Sequence, residues 1–319
     1  MNIFLIPIIF ISFLIVKISI PYFEKHLLAI PDSRSSHYMP KPQGGGIVFA
    51  SLGVFVSILI SNIIPLIAFP LSIVGFVDDK FKLPSGLRFA FQIATILALV
   101  NLILFKNILL FENNFYIIAL IILLVLFGTT IINFVNFMDG IDGLVISTFS
   151  LIFLIISLIY QSNFIFFTAS LIGFIPFNWY PSKIFMGDAG STFIGAVYVG
   201  AIFNCNNIFE SINILILSFP LLADAFFCLI RRFRLKDNIF SSHKLHLYQR
   251  LNQSGLNHQK VSLVYLLAVS FIGISIYIDI NFLKFLVIVI ELSIGFWLDK
   301  NIAVPFKINK LVKKGYNVQ

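Results

Sequence analysis

Apolar residues in this chain come in long continuous runs, separated by short clusters of Gly, Pro, Asp, Asn, Lys and Arg. A run of about 17–25 apolar residues is long enough to cross a bilayer as a helix. Eleven candidates are read, at roughly 2–20, 44–62, 63–77, 88–105, 115–134, 143–160, 163–179, 191–204, 212–230, 262–279 and 282–298, those at 63–77 and 191–204 being short. The two-residue alternation of a membrane β-barrel is absent. The pattern predicts an all-α polytopic membrane protein with about 11 transmembrane helices. It forms a single domain over 1–319, with a basic cytoplasmic tail at 299–319. The first run lacks a basic flank and a small-residue cleavage site, so it is expected to be retained as a span.

Composition narrows the class further. Hydrophobic residues make up 59 % of the 319 and charged residues 11 %, with mean hydropathy +1.00. Soluble domains run near ~45–50 % apolar and ~25 % charged, so soluble, disordered, coiled-coil and disulfide-scaffold proteins are excluded. Cys205 and Cys228 lie in apolar stretches and form no metal or redox pattern. A net charge of +8 raises nucleic acid as a partner, and the placement of the charge argues against it. With the N-terminus outside and the C-terminus in the cytoplasm, every Lys and Arg of the 22 except Lys17, Lys106 and Lys284 falls on the cytoplasmic side. That is the positive-inside asymmetry of a membrane protein facing anionic lipid.

Fourteen acids are present, and an unpaired charge in hydrocarbon is costly, so acids at span ends mark sites. Asp78 and Asp79 end the third run. Asn136, Asp139 and Asp142 are spaced by three, so a helical turn puts them on one side. Asp188, between Gly187 and Gly190, precedes the eighth run, where a helix N-terminus can hold an anion. Asp224 lies about two turns inside the ninth run, and Glu291 lies within the last with no obvious partner. Arg34, His37, Lys41 and Gly44–Gly46 in the first cytoplasmic loop, with His243, His246 and Arg250 in a later one, offer phosphate donors. The carboxylates suit a hard cation, and no Cys ligand is seen among these groups, so a transition-metal site is not expected. Together the segments predict Mg²⁺-assisted phosphoryl chemistry at the cytoplasmic membrane surface. An ion-coupled transporter would spread its polar groups across the span interior and show a two-fold repeat, and neither is present. The long Asp-Gly/Ala-Arg spacing of a CDP-alcohol phosphotransferase is also missing.

Asp78-Asp79, Asn136-Phe137-Met138-Asp139-Gly140-Ile141-Asp142-Gly143, Met186-Gly187-Asp188-Ala189-Gly190-Ser191 and the His243–Arg250 loop resemble the polyprenyl-phosphate N-acetylhexosamine-1-phosphate transferases of glycosyltransferase family 4. The same order runs from about 31 to 251. The Ser-Arg-Ser-Ser-His and Gln-Gly-Gly-Gly pieces and His-Leu-Tyr-Gln-Arg are similar to the branch that starts O-antigen synthesis with N-acetylated deoxyhexoses. The resemblance implies transfer of a sugar-1-phosphate from a UDP-sugar to undecaprenyl phosphate, with release of UMP. It implies a multi-pass protein of the bacterial inner membrane with its site facing the cytoplasm, and it admits a homodimer.

By position, Asp188 would ligate Mg²⁺, with Mn²⁺ able to substitute. Asp78, supported by Asp79, would act on the lipid phosphate as base, nucleophile or positioning group, and direct single displacement is the favoured route. Asn136, Asp139 and Asp142 would face the nucleotide and diphosphate. Lys82, Asn178 and Phe185 would contact uracil, with Phe185 stacking on it. His246 and Arg250 would bind phosphate. Where many relatives carry further His residues after His246, this chain has Tyr248 and Gln249, which puts His-based catalysis there in doubt.

Overall fold

The computed structural model describes residues 2–31, 39–107, 114–238 and 243–306. Its helices are α1 (Leu5–His26), α2 (Gly46–Ile58), α3 (Ile64–Phe81), α4 (Ser85–Asn107), α5 (Asn114–Met138), α6 (Leu144–Ile159), α7 (Ile165–Asn178), α8 (Gly187–Phe203), α9 (Ile208–Leu217), α10 (Phe219–Arg234), α11 (Leu247–Gln253), α12 (His258–Ile278) and α13 (Asn281–Asn301). Two short strands, β1 (Leu28–Ala29) and β2 (Lys41–Pro42), pair antiparallel. The protein is all-helical, and each of the eleven apolar runs carries a helix.

Length is where the expected count of spans meets a limit. Among the described residues, α1, α4, α5, α12 and α13 are long and apolar enough to cross a membrane, and α9 with α10 would make a sixth. The helices α2, α6, α7 and α8 are apolar but shorter. The ninth run, expected as one span, is broken by a 74° bend between α9 and α10. Pro220 in the first turn of α10 has no N–H to continue the ladder. The hydroxyl of Tyr198 fills the break, donating to the Ile214 carbonyl at 2.5 Å and lying 2.9 Å from Ser218 Oγ. The third run extends to Phe81, so Asp78 and Asp79 ride on the last turn of α3. The eighth begins at Gly187, which puts Asp188 in the first turn of α8. Residues 299–301, expected in the tail, still belong to α13.

The centre of the bundle is α8. Every residue from Ala189 to Ile202 is buried, as expected of a helix apolar on all sides. It packs on α2, α3 and α5. Small residues make the approach possible: a Cβ on Gly75 of α3 would overlap the backbone of Asp188 and Ala189, and one on Gly46 of α2 would overlap that of Gly190. Close helix contact through small residues is the usual means of association in apolar surroundings. The consequence for function is direct, because Gly75 lies one turn from Asp78 and Asp79 and sets how near they come to Asp188.

Gly75→Ala is therefore expected to destabilise the protein by about 1–3 kcal/mol through overpacking against backbone. Gly86→Ala, where a Cβ would meet nothing within 4 Å, should be neutral or better. Thermal unfolding of the two variants in detergent checks this, and equal melting temperatures would refute the packing argument.

Candidate active site

The site is built where α3 ends and α8 begins. Lys82 adopts a left-handed conformation (φ 54°) that stops α3, its N–H donating to the Asp78 carbonyl at 2.9 Å. The turn brings Leu83 N–H onto Asp78 Oδ1 at 2.6 Å. Asp78 Oδ2 accepts from Arg88 Nη1 at 2.8 Å, and the same Nη1 reaches Asp188 Oδ2 at 3.1 Å. One guanidinium thus bridges two carboxylates from different helices. Its Nε is buried without a hydrogen-bond partner.

Asp79 faces the other way. Its Oδ1 accepts from Asp188 N–H at 3.1 Å and from Gln43 Nε2, and Oδ2 lies 3.5 Å from Ala189 N–H. A carboxylate at a helix N-terminus meets unpaired N–H groups and the positive end of the dipole. Gly187 takes φ +68°, and a Cβ there would collide with the Asp79 carboxylate, so this turn admits glycine alone. The helix end expected to hold a ligand is filled by the protein's own Asp79.

A second cluster adjoins the first. The segment 41–46 pairs with 185–186: Phe185 N–H donates to Pro42 O at 2.8 Å, and Gly45 N–H to Phe185 O at 2.9 Å. This sets Lys41 Nζ 5.3 Å from the centre of the half-exposed Phe185 ring. Lys41 also lies 3.4 Å from Asp142 Oδ2, which accepts from Ser182 N–H at 3.0 Å, while His258 Nδ1 is 3.3 Å from Oδ1. Burial alone would raise the Asp142 pKa; these partners outweigh it and hold the carboxyl at about 2. Asp139 has no such partners among the described residues. Burial first, then the charges of Asp188 and Asp142, push its pKa up to about 8. Asn136 Oδ1 accepts from Ser191 Oγ of α8 at 2.7 Å.

The loop before α11 closes the group. His246 is buried, 3.7 Å from Asp224 Oδ1. Burial alone would lower its pKa, but Asp224 and Cys228 more than offset that and bring it to about 9, so the imidazole is cationic at neutral pH. Asp224 caps α11 from α10, accepting from Leu247 N–H at 2.7 Å, Tyr248 N–H at 3.0 Å and Tyr265 OH at 2.7 Å. The two residues that replace histidines are structural. Tyr248 OH donates to Phe137 O at 3.0 Å, tying this loop to the one that carries Asp139, and Gln249 Oε1 accepts from His246 N–H at 3.3 Å.

The structure thus brings together Asp78, Asp79, Asp139, Asp142, Asp188, Asn136 and Phe185, with Lys82 exposed at the turn after Asp78 and the His246 ring 6.2 Å from that of Phe137, next to Asn136. Two of the expected residues are engaged by the protein itself. Asn178 does not present its amide to a ligand: Oδ1 accepts from Gly143 N–H at 3.2 Å and Nδ2 donates to Ile184 O at 2.9 Å, so it clasps the Asp142 loop. Arg250 does not present its guanidinium to the acids: it donates to Leu245 O, Val304 O and Asp299, and anchors α11 to the end of α13. Arg34 and His37 lie outside the described residues. Arg88 was missed in the sequence; an Arg in the first turn of an apolar helix, just past an acid pair, was the available signal. Cys228 of α10, which the sequence placed in an apolar stretch, comes beside His243 and His246. Glu291 has both oxygens buried and unpartnered, in the wall of an apolar cavity of about 570 Å³ between α10, α12 and α13.

Sequence comparisons agree with this architecture. The profile of glycosyl transferase family 4 matches residues 61–206, the stretch that carries Asp78 to Asp188. The chain is 27 % identical to a probable undecaprenyl-phosphate N-acetylglucosaminyl 1-phosphate transferase of Bacillus subtilis over 300 residues, covering 82 % of this chain and 81 % of the relative. It is 30 % identical over 117 residues to a decaprenyl-phosphate N-acetylglucosaminephosphotransferase of Mycobacterium tuberculosis, 32 % of this chain and 29 % of that one. It is 32 % identical over 99 residues to a phospho-N-acetylmuramoyl-pentapeptide-transferase of Staphylococcus saprophyticus, 30 % of this chain and 29 % of that one. The all-helical architecture, with several helices long and apolar enough to cross a membrane, defines the class as an integral membrane protein. Over residues 61–206 the chain is similar to glycosyl transferase family 4.

The raised pKa of Asp139 has a consequence for stability. Between about pH 4, where the unfolded chain loses this proton, and about pH 8, where the folded one does, the native state binds more protons, so stability falls as pH rises. Asp139→Asn should flatten that fall and raise the melting temperature at pH 7–8, measured by thermal unfolding in detergent without divalent cations. A slope unchanged from wild type would refute it.

Proposed function

We propose that this protein transfers an N-acetylhexosamine- or N-acetylated deoxyhexose-1-phosphate from a UDP-sugar to undecaprenyl phosphate. UMP is released, and the lipid diphosphate-sugar formed starts O-antigen or another cell-envelope polysaccharide. The observation that carries the reading is the bridge from Arg88 to both Asp78 and Asp188, with Asp139 and the Lys41–Phe185–Asp142 group alongside. The names of the relatives, each a polyprenyl-phosphate or phospho-sugar transferase, support the same reaction class.

The residues fit a divalent metal ion. Mg²⁺ prefers oxygen ligands and takes only one or two carboxylates plus substrate phosphates and water. Asp188, half-exposed at the N-terminus of α8, offers one, and Asp78 across the Arg88 bridge a second. Bound there, Mg²⁺ supplies positive charge that offsets repulsion between two anionic substrates. The chain's own residues do the rest. Asp78, with one oxygen fixed by Leu83 N–H, positions the incoming lipid phosphate, already ionised near neutral pH, for direct displacement. Arg88, whose buried Nε lacks a partner, donates to phosphate oxygens as charge develops. The half-exposed ring of Phe185, with Lys41 beside it, stacks on uracil. The imidazolium of His246 adds a fixed positive charge. The apolar cavity beside Leu245 and Leu247 suits an isoprenoid chain. An eleven-span topology, with the N-terminus outside and the site at the cytoplasmic face of the inner membrane, is supported by the basic residues that crowd that side.

A membrane assay with radiolabelled UDP-N-acetylhexosamines, Mg²⁺ and undecaprenyl phosphate tests the reading. UMP release with one sugar is expected, and none with any of them would overturn it. In that assay Asp188→Asn should abolish turnover with the fold intact, and near-normal activity at saturating Mg²⁺ would sink its metal role. Phe185→Ala should raise KM for the UDP-sugar more than for the lipid; an unchanged donor KM would reject stacking.

A further inference from the structure

Cys228 lies on α10, and His243 and His246 lie on the segment that precedes α11. One ligand atom from each lies within 4.8 Å of the others. Cys228 and His246 are buried and His243 is half-exposed. His246 is 3 % exposed, and its buried Nδ1 has no hydrogen-bond partner. That nitrogen faces Asp224 Oδ1 at 3.7 Å, beyond hydrogen-bond reach, while the ring of His246 stands beside a thiol and a second imidazole.

We propose that Cys228, His243 and His246 form a binding site for a thiophilic divalent cation of the zinc class, separate from the oxygen-lined site of the acids. Thiolate and imidazole ligands select zinc-like ions, whereas carboxylates and water suit Mg²⁺, so the two sites discriminate by chemistry. Asp224 is not a fourth ligand, because its oxygens already accept from Leu247 N–H, Tyr248 N–H and Tyr265 OH. Three protein ligands leave one position for water, the arrangement of an exchangeable ion and not of a closed structural site. The binding step balances simply. Zn²⁺ forms bonds to Cys228 sulfur and two imidazole nitrogens, while the thiol proton and the proton of the His246 imidazolium pass to solvent.

The consequence for the transferase follows from His246. A metal on its ring replaces one proton of the imidazolium, and the loop that leads into α11 becomes tethered to α10. Occupancy therefore withdraws His246 from the phosphate-facing group and inhibits transfer. The binding claim rests on geometry alone; the inhibition rests on the proposed function.

The test uses the full chain, purified in detergent and stripped with a chelator. Co²⁺ titration should give a near-ultraviolet thiolate-to-cobalt absorption saturating at one equivalent, with proton release, and Zn²⁺ should displace it. Cys228→Ser should abolish the band and weaken Zn²⁺ binding on the order of tenfold or more, while Cys205→Ser keeps both. His243→Ala, a change at a half-exposed side chain, should weaken binding likewise, and it decides the matter if the cysteine variant fails to fold. No band in the wild type, or a band that survives Cys228→Ser, overturns the site. In the transferase assay Zn²⁺ should inhibit the wild type and spare Cys228→Ser. Zinc that binds without inhibiting overturns the regulatory consequence. A wild type that binds zinc yet transfers no sugar overturns the proposed function and leaves the site standing.

Discussion

The contact on which the rest depends is the carboxylate of Asp79 seated on the first turn of α8. A buried helix end leaves several N–H groups without partners, and leaving them so is expensive in apolar surroundings. Asp79 satisfies two of them with one side chain from a neighbouring helix. That seat locks α3 against α8 and fixes the distance between Asp78 and Asp188. It also explains the small residues around it, since neither Gly75 nor Gly187 has room for a Cβ without displacing this contact.

Once α3 and α8 are locked, electrostatics organises the remaining charges. Asp78 and Asp188 would repel across the junction, and Arg88 stands between them. Asp142 is drawn off to Lys41 and His258, while Asp139 is left with burial and like charges. The two acids three residues apart thus acquire opposite tendencies, one held ionised and one inclined to keep its proton. Paired carboxylates whose environments separate their proton affinities are a recurring feature of catalytic sites. The site carries an excess of negative charge that a cation relieves, and its donors at Arg88, Lys41 and His246 are spaced around it.

The site was legible in part because acids are so rare here. With fourteen in 319 residues, those at the ends of apolar runs stood out, and Asp78, Asp79, Asp139, Asp142 and Asp188 do converge. Side-chain direction was not legible. Asn178 and Arg250 share segments with site residues, yet packing turns Asn178 onto the Gly143 and Ile184 backbone and Arg250 onto Asp299. Arg88 escaped notice because its partners lie ten and a hundred residues away. Cys228 read as one more apolar position because a helix shows its neighbours along the chain and hides those across the bundle.

The sequence by itself determined the material of the fold: apolar runs that must be helices in a membrane, because backbone groups in lipid must be satisfied within the segment, and rare charges at their ends. It also carried the order of acidic motifs on which the resemblance to glycosyl transferase family 4 rests. Only the tertiary structure decided that α9 and α10 part at a 74° bend, that Asp79 caps α8 while Asp78 turns to Arg88, and that a thiol meets two imidazoles. Those outcomes depend on which helix faces lie against each other. That is set by the volume of residues such as Gly46, Gly75 and Tyr198 in contact with distant segments, and hydropathy along the chain does not encode it.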